Sequence, residues 1–203
     1  LIGALLIYLT IAAVLITISR PVEMDNVEMN FAFAALTAVS YDNMPALQPY
    51  TARDGADLSF RFYESRTETD TVLILLHGSG WHGMQFHPLA AALSAEGAAH
   101  IYVPDLRGHG VTPQTRGDVA YIGQLEDDIA DLIALARAQF PAANIILGGH
   151  SSGGGLAVRF AGGAHGGMAD GYLLLAPYLG YNAPPTRPDA GGWARPLTGR
   201  IIG

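Results

Sequence analysis

Hydrophobic and polar positions divide the chain into three stretches. Residues 1–18 read LIGALLIYLTIAAVLITI, with no charge and no polar stripe, and the run stops at Ser19-Arg20-Pro21. Eighteen helical residues cover roughly 27 Å at ~1.5 Å each, close to the ~30 Å hydrocarbon core of a bilayer. The pattern predicts a transmembrane anchor over residues 1–19. A cleaved signal peptide has a shorter apolar run, ~7–15 residues, before a small-x-small site, and Thr17-Ile18-Ser19 matches that site poorly. A buried core helix would show a polar stripe. Arg20 favours a cytoplasmic C-terminal side, but one arginine leaves the membrane side open.

Residues 20–46 read as a linker or juxtamembrane segment. Within it, NFAFAALTAV (30–39) is compatible with a short helix or with an apolar patch on a linker. From residue 47 strands and helices alternate. LSFRFYES (58–65) alternates apolar and polar positions, as a half-buried strand does. TVLILLH (71–77), AHIYVPD (99–105), NIILGGH (144–150) and GYLLLAP (171–177) read as further strands, the first of them continuously apolar. Helices are predicted over 84–97, 121–140 and 156–162. The acidic cluster Glu126-Asp127-Asp128 falls near a helix start and reads as a solvated face. Such alternation predicts a mostly parallel sheet with helices on both faces. Chemistry in such sheets collects at the carboxyl ends of the strands.

Three strand ends carry candidate residues. The run 71–77 ends in His77-Gly78-Ser79-Gly80-Trp81-His82-Gly83, a glycine-rich turn that can aim backbone N–H groups into a site. The run 99–105 ends in Asp105-Leu106-Arg107-Gly108-His109-Gly110, where Asp105 is expected to fix the loop through Arg107 and nearby amides. The run 144–150 ends in Gly149-His150-Ser151-Ser152-Gly153. This is G-x-S-x-G between a strand and a helix, the setting of a nucleophile elbow. A sharp turn projects the Ser151 hydroxyl, and Gly149 and Gly153 let neighbouring backbone pass. The next helix aims its N-terminal amides at developing negative charge. Ser152 does not fit the register, because His150 would stand at its first glycine position.

Composition narrows the chemistry. The net charge is −7, with no basic footprint for nucleic acid. There is no cysteine, and all eleven basic residues are arginine, so thiol nucleophiles and lysine-based chemistry are excluded within the chain. No cofactor and no metal are expected. His82 and His87 are spaced by five, lack an acidic companion, and do not make a zinc motif. The glycine-rich GGHSSGGG follows the fourth strand, not the first, which argues against a dinucleotide fold.

From about residue 50 to 178 the chain resembles the α/β-hydrolase superfamily. It is most similar there to the lysophospholipase/monoacylglycerol-lipase-like serine hydrolases of serine aminopeptidase S33 type. The matching pieces are TARDGADLSFRFY, LLHGSGWHG, YVPDLRGHG, QLEDDIADLIALAR, ILGGHSSGGGLAVRFA and GYLLLAPYL. The resemblance implies that Ser151 is the acyl nucleophile and that the backbone N–H groups of Ser79 and Ser152 form the oxyanion hole. It implies that Gly78, Trp81 and His82 border the acyl pocket, that His150 packs beneath the elbow, and that His109 is a loop residue near the site. The implied activity is cleavage of a lipid-derived carboxylic ester, such as a lysophospholipid or monoglyceride. Membrane attachment would run through residues 1–19. An aspartate-nucleophile hydrolase is disfavoured by the serine at the elbow.

The family order is Ser, then Asp or Glu, then His. After Ser151 only Asp170, Asp189 and His165 are available. His165 and Asp170 are expected on the face opposite the nucleophile. Asp189 falls in residues 182–203, read as the start of a cap or loop. The expectation is a partial hydrolase domain over residues 47–203 whose last strands, acid and base lie beyond Gly203. A thioesterase, a small-molecule esterase and a non-catalytic hydrolase-like binding protein remain as alternatives.

Overall fold

Runs of β-branched and leucine residues bounded by glycine or proline recur from residue 48 onward, and they become the sheet. The computed structural model describes residues 2–18, 40–110, 115–180 and 183. These fall in two compact units. One is Ala38–Gly180, and the other comprises Leu1–Thr37 with Tyr181–Gly203.

In the second of these units the described structure is helix α1 (Ile2–Ile18). At ~1.5 Å per residue its 17 residues measure about 25 Å. Among the described residues no helix is long and apolar enough to cross a membrane. Leu5, Leu6, Ile7, Tyr8 and Leu9 are each more than half exposed. Five successive residues cover a full helical turn, so the apolar surface runs all the way round. The polar side chains turn inward on the helix itself: the Thr10 hydroxyl donates to Leu6 O at 2.8 Å and the Thr17 hydroxyl to Ala13 O at 2.7 Å.

The unit Ala38–Gly180 is built on a six-stranded sheet. Its strands are β1 (Gln48–Thr51), β2 (Asp57–Tyr63), β3 (Thr71–Leu76), β4 (His100–Asp105), β5 (Asn144–His150) and β6 (Gly171–Leu175), in the spatial order β1-β2-β4-β3-β5-β6. β1 and β2 form a hairpin, and β2 lies antiparallel to β4; the β3–β4, β3–β5 and β5–β6 pairings are parallel. Three helices cover the faces: α2 (His87–Ala95), α3 (Gln124–Gln139) and α4 (Ser152–Gly162). Successive strand residues point to opposite faces. Val72, Ile74, Leu76, Ile145 and Leu147 therefore pack with Ile129, Ile133 and Phe160 of α3 and α4. Leu73, Leu75, Ile101 and Val103 pack with Phe86 and Ala90 on the other face. β3 is buried on both sides, which accounts for its unbroken apolar run.

Several expected boundaries shift for local reasons. β1 was not expected; it is four residues long and contains a proline. The helix expected over 84–97 splits into a 3-10 turn, Gly83–Phe86, and then α2, with Pro88 in the first turn of α2 where its missing N–H costs nothing. α3 starts at Gln124 because Gly123 before it has φ +104°. α4 begins directly after Ser151, earlier than expected, since the run Gly153–Gly155 carries little helix propensity. The linker expected over 20–46 lies outside the described residues as far as residue 39. The expected cap or loop 182–203, including Asp189, lies outside them except for Ala183.

Candidate active site

Ser151 stands between the end of β5 and the first residue of α4, with φ 53° and ψ −119°. That conformation is disfavoured for a residue with a Cβ and persists only where surrounding bonds hold it. Three bonds do so here. The Ser151 N–H donates to Leu175 O at 3.1 Å, and Ser151 O accepts from the N–H of Tyr178 at 2.8 Å and of Gly155 at 3.0 Å. The turn is thus stitched to the end of β6 as well as to α4. A Cβ at Gly153 would collide with the Leu76 carbonyl, and one at Gly149 with the Gly153 carbonyl. No side chain fits at either place.

The glycine-rich loop after β3 crosses this elbow. A Cβ built on Gly78 would lie 3.5 Å from Ser151 Cβ and 3.4 Å from His150 Nδ1. Ser79 and Gly80 are exposed, Trp81 is 49% exposed, and the Trp81 ring lies nearly parallel to that of His82, 6.2 Å between centroids. Among the described residues, neither the Ser79 nor the Ser152 N–H has a backbone acceptor. Ser152 opens α4, so its amide belongs to the unsatisfied first turn of a helix. The arrangement offers a hydroxyl on a strained turn at the start of a helix, with the Gly78 loop packed against its Cβ. Such a set can attack a carbonyl and hold the oxyanion that results.

Buried polar groups hold the loop. The Gly78 N–H donates to Gln85 Oε1 at 2.9 Å, and Gln85 Nε2 lies 2.6 Å from His150 Nδ1. His77 is 1% exposed; its Nδ1 lies 2.9 Å from Gly78 O, and its Nε2 accepts the Leu106 N–H at 3.0 Å. The second contact requires a bare Nε2, so the ring proton sits on Nδ1. Burial drives the His77 pKa down to about 4, with the neighbouring His109 adding to the fall, and the ring is neutral at pH 7. At the far end of the loop the Gly83 N–H donates to Asp105 Oδ1 at 2.7 Å. Asp105 pairs with Arg61 at 3.8 Å, both nearly fully buried.

Two expectations need correction. Asp105 does not act through Arg107. Arg107 instead makes a two-pronged contact with Asp128, at 2.8 and 2.6 Å, and reaches Asp54 at 3.0 Å. Nor is the acidic cluster of α3 a solvated face. Asp128 is buried, and burial raises its pKa against the pull of Arg107. Asp127 bonds Tyr121, His165 and Arg53, and Glu126 pairs with Arg159. The cluster ties four other segments to α3.

His165 and Asp170 each bond other groups than Ser151. His165 Nε2 lies 2.7 Å from Asp127, while Asp170 accepts from the Ile145 N–H and Arg137. Among the described residues no imidazole or carboxylate hydrogen-bonds the Ser151 hydroxyl. A cavity of about 390 Å³ lies at the end of β4, lined by residues including Ser59, Asp105, His109 and Gln124. Neither Ser151 nor Gly78, Trp81 or His82 lines it. The sequence reading missed Gln85 and the two roles of His77. Nothing in the local pattern marks Gln85, a polar residue in a helix-like stretch.

The serine aminopeptidase S33 family (Hydrolase_4) matches residues 67–202, two thirds of the chain. The chain belongs to that family. Within it, the monoacylglycerol lipase of Mycolicibacterium smegmatis is 27% identical over 146 residues, 64% of this chain and 52% of the relative. The human monoglyceride lipase is 25% identical over 142 residues, 70% of this chain and 45% of that one. A soluble variant of the Saccharomyces cerevisiae monoglyceride lipase, solved with a substrate analogue, superposes with a TM-score of 0.58 at 26% identity. That match covers 68% of this chain and 46% of the yeast one. The S33 chain described here therefore spans about half the length of the curated relatives it matches, and its fold is the α/β-hydrolase fold.

Proposed function

We propose that this S33-family chain belongs to a serine hydrolase that cleaves lipid-derived carboxylic esters at a membrane surface, with Ser151 as nucleophile. The carrying observation is the strained Ser151 turn at the start of α4, packed against the Gly78 loop. Ser151 Oγ adds to the ester carbonyl carbon, and the two amides hold the oxyanion. Collapse forms the acyl-enzyme and expels the alcohol, which takes up the proton given up by Ser151. Water then adds to the acyl carbonyl carbon, and collapse breaks the bond to Ser151 Oγ, releasing the carboxylic acid and returning a proton to the serine. The base that relays these protons, with its acid, is assigned to chain outside the described residues. Trp81, exposed beside the elbow, is placed at the acyl side of the substrate.

The substrate class, a monoglyceride or lysophospholipid, rests on what the relatives are named for and on α1. A helix that is apolar all round, with both threonine hydroxyls bonded to its own backbone, suits lipid surroundings. We assign α1 as a lipid-embedded anchor.

The test is fluorophosphonate labelling, in detergent, of the protein at its full natural length, compared with Ser151→Ala in equally folded samples. Labelling that vanishes in the variant is expected. A folded wild type that stays unlabelled overturns the reading and favours a non-catalytic hydrolase-like protein. That second reading is the one served by the absence of an imidazole on Ser151 among the described residues. Among esters, a series from acetyl to long acyl chains should show the long chains cleaved fastest.

A further inference from the structure

We propose that Gln85 is a positioning residue which locks the Ser79 loop onto the Ser151 elbow and so sets the distance between the two oxyanion amides. The inference rests on the serine-hydrolase reading above and names a residue that reading does not use.

Residue 78 contributes its N–H to the peptide before it and its carbonyl to the peptide that carries the Ser79 N–H. Its N–H donates to Gln85 Oε1 at 2.9 Å, and its carbonyl accepts from His77 Nδ1 at 2.9 Å. Both polar groups of residue 78 are therefore held. The next N–H along the chain is that of Ser79, and its direction follows from how the preceding peptides are fixed. The carboxamide of Gln85 also has a second end. Because Oε1 must face the Gly78 donor, Nε2 faces His150 Nδ1, 2.6 Å away. His150 Nδ1 then accepts, and its ring proton resides on Nε2.

His150 is the residue immediately before the nucleophile. One side chain, on the 3-10 turn Gly83–Phe86, thus bonds the loop that carries one oxyanion amide and the strand end that carries the serine. The loop and the strand end lie in van der Waals reach of each other. A Cβ built on Gly78 would rest in ordinary contact with His150 Nδ1 at 3.4 Å and Gln85 Oε1 at 3.7 Å. The other end of the loop is held separately, by Asp105 on the Gly83 N–H. Without Gln85 the loop would keep its distal tether and lose the one that registers it against Ser151. Oxyanion donors must lie within a few tenths of an ångström of their target position to be effective. Gln85 touches no reacting atom and works through the Gly78 and His150 groups.

A residue that merely satisfied buried donors would matter for stability alone, so the experiment separates the two roles. The protein at its full natural length, in detergent, is compared with Gln85→Met, which keeps side-chain length and removes both bonds, and with Gln85→Glu. The glutamate still accepts from Gly78 N–H and can accept from His150 once its proton moves to Nδ1. The readouts are the second-order rate of fluorophosphonate labelling, corrected for the folded fraction, and the tautomer of His150 from ring nitrogen NMR shifts. Gln85→Met is expected to label on the order of ten- to a hundred-fold more slowly, the range for small misplacements of catalytic groups. Gln85→Glu is expected to recover most of that rate while showing the proton on Nδ1. The proposal is overturned if folded Gln85→Met labels at the wild-type rate, or if Gln85→Glu is as slow as Gln85→Met. A folded wild type that does not label overturns the proposed function and this inference with it, which keeps the two failures apart.

Discussion

His77 shows what one buried ring does to the molecule. Its proton-free Nε2 accepts the Leu106 N–H while Nδ1–H holds Gly78, so one neutral imidazole joins the loops after β3 and β4. Burial holds its pKa at about 4, against 6.5 for an unburied histidine. The unfolded chain therefore binds this proton more readily than the folded one. Stability from His77 is complete above about pH 6.5 and is lost as the pH falls toward 4, on the order of 3 kcal/mol in all. Urea unfolding between pH 7 and pH 4.5 should show this slope, and His77→Gln should flatten it. At Gly153 the limit is space. Gly153→Ala forces a methyl against the Leu76 carbonyl, and we expect loss of labelling together with a lower melting temperature. Unchanged melting in that variant would contradict the packing described here.

The elements differ in how plainly they could be read beforehand. β3, β4 and β5 are buried on both faces, so their apolar runs carry their own signature. β1 is held as a sheet edge by β2 and has no signature of its own, and the start of α4 hides in three glycines. The strand–turn–helix setting of Ser151 was legible because a backbone turn and its glycines leave a local trace. Gln85 was not, since its meaning comes from a contact with His150, 65 residues away. The acids of α3 misled for the same reason: three neighbouring carboxylates look alike until their partners are known. Their partners also predict unequal costs. Asp128→Ala removes the counter-charge of a largely buried arginine and should cost about 3–5 kcal/mol. Glu126→Ala breaks a pair whose arginine is 55% exposed and should cost less than about 1 kcal/mol. Thermal unfolding of the two variants side by side checks the ranking. For α1, Leu9→Arg with Ala13→Arg should abolish flotation with phospholipid vesicles, because each central charge opposes insertion by about 2.5–3.5 kcal/mol. Undiminished flotation would remove α1 as the anchor.

On the scale of the whole sheet, β6 is the exposed side. Among the described residues it pairs with β5 alone, and Tyr172, Leu173 and Leu174 are each more than a third exposed. The bonds from Ser151 to Leu175 and Tyr178 also impose an order in time. Synthesis delivers β3, then β5, then β6, and each must fold back across a long intervening stretch. A nascent chain that has emerged only as far as α4 already owns its serine and most of its hydrophobic centre. It does not yet own the two bonds that keep the turn at φ 53°. We therefore expect the strained posture of Ser151 to be acquired late in biosynthesis, after β6 has docked, so that a chain interrupted before that point carries its hydroxyl on a relaxed turn.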